Sequence, residues 1–164
     1  ADGGPMPSHT YDAAGIYDVC LTVNDGVVDS TEVCTEAVIY DPSDGFVTGS
    51  GWIYSEAGSY LPDETIEGKA TFRFVSKYKK GASIPTGKTD FRFQAGDLDF
   101  NSLSYDWLVV TGSGVAKFKG EGSINGEGVY KFQIWAEDDD PDTFRVKIWD
   151  EDEAGLETVV YDNR

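Results

Sequence analysis

The sequence predicts an all-β fold, an antiparallel β-sandwich, and three observations carry that prediction. Apolar and polar residues alternate at every second position through much of residues 71–149, a pattern that buries one face of a strand and wets the other. Nineteen glycines, with many Thr, Val, Tyr and Phe, suit strands joined by tight turns. No stretch repeats apolar residues at i, i+3, i+4 and i+7 over several turns, as an amphipathic helix requires. With 40% hydrophobic residues in a chain of 164, one domain, or one domain plus a partial one, can build a core.

Residues 16–24 and 27–39 read as two strands about the turn signal Asn24-Asp25-Gly26. A hairpin folded about Val27 sets Cys20 opposite Cys34, at a separation a disulfide can span. Closing a loop of that length is worth about 3 kcal/mol by chain entropy, and the bond implies an oxidising compartment. The alternative is two free thiols packed as small apolar groups. A zinc site is not expected, because two cysteines and the single His9 cannot supply four soft ligands. Asp41-Pro42-Ser43-Asp44-Gly45 then breaks the pattern. The expected division is a first segment over 1–41, a linker over 42–48 and a β-sandwich domain over 49–164.

In that domain Phe72 and Phe74, Phe91 and Phe93, Ala116 and Phe118, Phe132 and Ile134, and the run Phe144, Val146, Ile148 form the inward stripes. Asn125-Gly126 lies between two of these runs and marks a hairpin. About eight short strands at this turn spacing indicate a sandwich or a barrel.

The formal net charge of −17 argues against nucleic acid, whose binding runs on Lys and Arg, and against an anionic membrane surface. It fits a protein that meets high extracellular ion concentrations; plain solubility is the other reading. No run of 18 apolar residues exists to form a membrane-spanning helix. The chain opens on Ala1 rather than Met and is read as a mature or excised fragment. No G-x-S-x-G, H-E-x-x-H or P-loop occurs. With 30 acidic residues, paired carboxylates arise by chance and point to no hydrolase. A non-catalytic role is therefore expected.

Four groups of residues stand out as candidate sites. Asp138, Asp140 and Asp142 have the D-x-D-x-D spacing of calcium loops, which Asp150 could join. The EF-hand pattern fails, because Thr143 replaces the glycine and Trp149 the bidentate glutamate; the alternative is a solvated acidic hairpin tip. Asp97, Asp99 and Asp106 read as turn-capping groups. Trp52, Trp107, Trp135 and Trp149, with Tyr54, Tyr60 and Tyr78, supply aromatic surface. Trp135 and Trp149 fall on the face opposite the Phe/Ile stripe, as a sugar-stacking pair or as inter-sheet packing. Lys69, Arg73, Lys77, Lys79 and Lys80 form the one basic stretch, which either meets a carboxylate-rich neighbour or is simply solvated.

Two resemblances add to these readings. His9-Thr10-Tyr11 followed by Gly15-Ile16-Tyr17-Asp18-Val19-Cys20-Leu21-Thr22-Val23-Asn24-Asp25-Gly26 resembles the second half of a PKD domain, an immunoglobulin-like family. The family's first half, with its Trp-x-Phe-Gly-Asp-Gly signature, is absent. Gly49-Ser50-Gly51-Trp52-Ile53, the run from Gly68 to Gly81, Tyr105-Asp106-Trp107-Leu108-Val109-Val110, Phe144-Arg145-Val146-Lys147-Ile148-Trp149-Asp150 and Val160-Tyr161-Asp162-Asn163 resemble a post-COAP-1-type domain of bacterial secreted multidomain proteins. The resemblances imply a jelly-roll or immunoglobulin-like sandwich preceded by a partial immunoglobulin-like hairpin, on a secreted or cell-surface protein. A half-sandwich leaves an apolar face and strand edges open. Upstream chain, strands donated by a second copy, or the following domain would complete it. The expected function is a structural or adhesive module that self-associates by strand complementation and takes calcium at the acidic tip. The alternative is a carbohydrate-binding accessory module of a secreted polysaccharide-degrading enzyme.

Overall fold

The structure, a computed structural model, describes residues 8–39, 41, 45–111, 114–138 and 140–164. Among the described residues, ten strands form two antiparallel sheets. The first sheet is a hairpin, β1 (Gly15–Leu21) with β2 (Val33–Ile39). The second holds β3 (Phe46–Ser55), β4 (Gly68–Lys77), β5 (Thr86–Phe93), β6 (Leu98–Val110), β7 (Val115–Ile124), β8 (Glu127–Glu137), β9 (Thr143–Glu151) and β10 (Glu157–Asp162). The all-β antiparallel fold is as expected. The eight strands lie in the order β10-β9-β8-β7-β6-β5-β4-β3, so each is hydrogen-bonded to its neighbour in sequence. The sandwich is made by one meander coiling on itself, without the crossovers of a jelly roll. The 42–48 linker is shorter than expected: residues 42–44 lie outside the described residues, and Phe46, Val47 and Thr48 already pair with Lys77, Ser76 and Val75.

The alternation predicts the core correctly. Phe91, Phe93, Phe100, Phe118, Phe132, Ile134, Val146 and Ile148 are fully buried inside the coil. Across it, Phe72 stacks on Phe144 with ring centroids 3.7 Å apart, and Phe91 meets Tyr161 at 4.7 Å. The sheet has to bend tightly where β6 and β7 pair, and β7 carries glycine there. A Cβ on Gly122 would stand 2.2 Å from the Phe100 ring, too close for any side chain. The β7–β8 turn uses Asn125 (φ 54°) and Gly126 (φ 79°), the positive pair that a two-residue hairpin demands. Asn125 also ties the β5–β6 turn: its Oδ1 accepts the Asp99 N–H at 2.9 Å and its Nδ2 donates to the Asp97 carbonyl at 2.7 Å.

The two edges of the sheet are joined at one end. The loop after β3 reaches β10 through Leu61 N–H to the Val160 carbonyl (3.0 Å) and Asp162 N–H to the Ser59 carbonyl (2.9 Å), with the Tyr161 hydroxyl donating to Ser55 Oγ at 2.9 Å. Burial pushes the Tyr161 phenol up to about 12. Asp162, 8% exposed, accepts from Arg145 Nε at 2.8 Å, from Arg145 Nη2 at 2.9 Å and from Arg164 Nε at 2.9 Å. Burial alone would raise its pKa, but the two guanidinium groups outweigh that and hold it below its usual value. A depressed carboxyl stabilises the fold above its unfolded pKa of about 4 and loses that contribution as pH falls through the folded value. Asp162→Asn is therefore expected to cost about 1–3 kcal/mol at pH 7, with the gap to the parent protein closing below about pH 4. Urea melts at pH 7 and pH 3 check this.

Candidate functional site

The hairpin forms as the sequence requires. Cys20 pairs with Cys34 across the ladder and the two are bonded, with Cα atoms 4.0 Å apart. Its turn is held locally: Asn24 Oδ1 accepts the Gly26 N–H at 2.6 Å, and Asp25 Oδ1 accepts those of Val27 and Val28, each at 2.9 Å. The Val28 and then the Val27 N–H lower the Asp25 pKa. Residues directly opposite share a face, so Tyr17, Val19, Leu21, Val33, Ala37 and Ile39 form one apolar side. Only the base of that side is sheltered. Gly15 is buried, and Tyr17, Ala37 and Ile39 are half-buried, where β1 comes against β6. Toward the tip Leu21 is 58% exposed and Val33 70%, with Val23, Val27 and Val28 beyond them also exposed. Among the described residues, no further strand pairs with either outer backbone edge of this ribbon.

The acidic tip between β8 and β9 is open. Asp138, Asp140 and Asp142 are exposed, as is Asp150 on β9; Asp139 lies outside the described residues. Among the described residues these carboxylates do not gather around a common point. The one group with metal-ligand spacing is Cys20, Glu32 and Cys34, whose sulfurs are already joined to each other. The D-x-D-x-D spacing therefore does not by itself bring its side chains together: the first residue follows β8 and the last precedes β9, on opposite sides of the turn. Thr143 Oγ1 donates to Glu137 Oε2 across the same end at 3.2 Å.

The tryptophans divide unlike the expectation. Trp149 points outward, yet it is 2% exposed. Lys147 Nζ lies 4.6 Å and Lys119 Nζ 5.2 Å from its ring centroid, and its Nε1 donates to Glu151 Oε2 at 3.3 Å. The two ammonium groups lie over the indole, and the Lys147 side chain, itself 16% exposed, also pairs with Glu157. Trp135 is half-buried under the Arg145 guanidinium, 4.4 Å from its centroid, and Arg145 is fixed by Asp162. Trp135 pairs with Arg145 and Trp149 with Lys131, so the two rings sit four residues apart along the strands, about 13 Å. They are two separately covered rings, not one sugar platform.

The aromatic surface that is open lies on β3. Trp52 is 62% exposed and Tyr54 51%; two residues apart, they share the outward face with Ser50 and Thr48. The Tyr54 hydroxyl is hydrogen-bonded by Glu67, which raises its pKa. Beside them β4 and β5 carry a charged ladder. Arg73 Nη2 lies 2.7 Å and Lys88 Nζ 3.0 Å from the Asp90 carboxylate, and Arg92 pairs with Asp99. Burial raises the Asp90 pKa, but Arg73 and Lys88 outweigh it and the net shift is downward. These groups line a shallow trough of about 460 Å³. Sequence reasoning named Trp52, Tyr54, Lys69 and Arg73 but did not join them. The signal was present: Trp52-x-Tyr54 has the same parity as Lys69-x-Thr71-x-Arg73 once β3 and β4 pair. A second cleft, of about 720 Å³, runs along the outer edge of β3 and is lined by Trp52, Phe72, Phe144, Glu137, Asp138 and Asp142, among others.

No long, apolar, membrane-spanning helix occurs among the described residues. Comparisons with protein-family models, curated proteins and solved structures find no match for this chain.

Proposed function

We propose that this chain is a non-catalytic structural and adhesive module of a secreted or cell-surface protein, and that it associates with a second copy by strand complementation at its N-terminal hairpin. One observation carries the reading: a disulfide-locked ribbon whose outer half presents Leu21, Val23 and Val33 to solvent beside two edges that no strand among the described residues pairs. Exposed apolar side chains next to unpaired backbone are what an added strand satisfies. The disulfide suits an oxidising compartment, and the partial PKD-like pattern accounts for a sheet left with one face open.

The energetics set the strength of the contact. Burying Val19, Leu21, Val23 and Val33 gains about 1.5–3 kcal/mol each. Association costs about 4–15 kcal/mol in lost freedom. A pair of modules therefore binds weakly, and many copies displayed on one surface bind well through raised effective concentration. Two chains of charge −17 also repel, so the contact needs salt to screen them over about 8 Å.

Light scattering over a concentration series at 0.15 M salt is expected to show the mean mass rising with concentration, and rising less at low salt. Leu21→Lys with Val33→Lys should remove the rise without altering the melting of the eight-stranded body. A strictly monomeric protein at every concentration contradicts the reading.

A further inference from the structure

We propose that the outward face of β3–β6 is a binding site for an anionic polysaccharide, with Trp52 as its stacking platform. The first ground is charge. In a chain of net charge −17, the outward positions of β4 and β5 carry Lys69, Arg73, Lys77, Lys88 and Arg92. Three carboxylates stand among them: Asp90 and Asp99 oppose the cations, and Glu67 bonds to Tyr54 at the β3 end. The surface is locally positive on a strongly negative protein, which focuses an anionic ligand onto this face.

The second ground is register. Trp52 pairs with Thr71, Thr71 with Arg92 and Arg92 with Asp99. The next row runs Ser50, Arg73, Asp90, Asn101. Each row leads from the open edge strand, with its aromatic or hydroxyl side chain, into planar charged and amide groups. That order matches a pyranose chain bearing acid groups: the apolar face of a ring stacks on an indole, hydroxyls bond to Asn101, Ser50 and Thr71, and carboxylates meet Lys69, Lys88 and the guanidinium N–H groups not turned to Asp90 and Asp99. Strand neighbours two apart stand about 6.6 Å from each other, so Trp52 and Tyr54 can contact successive sugars.

The third ground is availability. Arg73, Lys88 and Arg92 have side chains 70%, 63% and 65% exposed, so they are not used in holding the core. Lys69 Nζ lies 4.9 Å from the Trp52 ring centroid. An exposed contact of that kind is weak, and the ammonium can turn to a ligand carboxylate while the indole stays open. An acidic peptide would be served by the cations alone and has no use for the exposed ring.

Affinity electrophoresis and calorimetry with polygalacturonate and alginate test the proposal, with neutral dextran and poly-glutamate as comparisons. The expected result is binding to the two uronates that weakens with salt, with at least about a tenfold loss in Trp52→Ala and a clear loss in Lys69→Gln/Lys88→Gln. Trp52 is exposed, so its variant should melt like the parent protein. Amide shifts confined to β3–β6 on adding oligogalacturonate give a readout that does not depend on any variant. Binding of poly-glutamate as tight as that of the uronates, full binding by Trp52→Ala, equal binding of dextran, or no binding to either uronate would overturn it.

Discussion

Replacing Phe118 by alanine is expected to cost about 3–5 kcal/mol of the stability of the eight-stranded body. Phe118 is fully buried on β7, and its ring stands 5.4 Å from Phe74 and 6.1 Å from both Tyr105 and Phe132, centroid to centroid. These neighbours come from β4, β6 and β8, so the ring joins strands on both sides of the coil. Deleting it removes apolar contact and leaves a void that the flanking strands cannot close. They are held in register by Leu108 opposite Phe118 and by Phe118 opposite Ile134. A loss of that size is a large share of ordinary domain stability, about 5–15 kcal/mol. Urea unfolding followed by near-ultraviolet dichroism measures it. A cost under about 1 kcal/mol would mean that the inner face is not a single packed core.

Reduction of the Cys20–Cys34 bond has the second largest expected effect, and a local one. The bond closes a loop of 14 residues in sequence separation, and opening it returns about 3 kcal/mol of chain entropy to the unfolded hairpin. An isolated two-stranded hairpin is marginal in water, and this one has only its base sheltered. The tip, from Leu21 to Val33, is therefore expected to fray on reduction. The body, which contains no cysteine, should melt as before, because its core ends at β3. Dithiothreitol treatment followed by proteolysis reads this out: cleavage is expected within residues 21–33 only after reduction. If association runs through the hairpin, the concentration-dependent rise in mass disappears with it.

How much of this was legible in the sequence depends on the range of the interaction. Period-two alternation placed Phe91, Phe93, Phe118, Phe132, Ile134, Val146 and Ile148 inside correctly, because parity along a strand is a local property. The disulfide and the Asn125-Gly126 turn were legible for the same reason, as each is set within one hairpin. Closure of the coil was not. It joins Ser55 and Ser59 to Tyr161 and Asp162, about a hundred residues away, and depends on how far eight strands twist. The linker was drawn too long because Gly45 and the preceding Pro42 mask a strand that starts at once with Phe46.

The site residues followed the same rule. Parity put Trp149 outside, and it is outside. What parity does not report is that Lys119 on β7 and Lys147 on β9 place their ammonium groups over it. The open ring is Trp52, on β3, an edge strand of the eight-stranded sheet. The acidic run was visible as a spacing, but among the described residues its carboxylates do not converge. The hairpin's open face was legible as an incomplete pattern. Its measure, a sheltered base and an exposed tip, came only from the contact with β6.

The central claim is that the outer half of the hairpin is an interface. Hydrogen exchange of its amides as a function of protein concentration tests it most directly, because exchange reports backbone pairing residue by residue. The account predicts that edge amides between residues 17 and 35 gain protection as concentration rises at 0.15 M salt, while those of β4–β9 do not change. Exchange in the hairpin that stays fast and independent of concentration, in a sample whose body is fully protected, would contradict it.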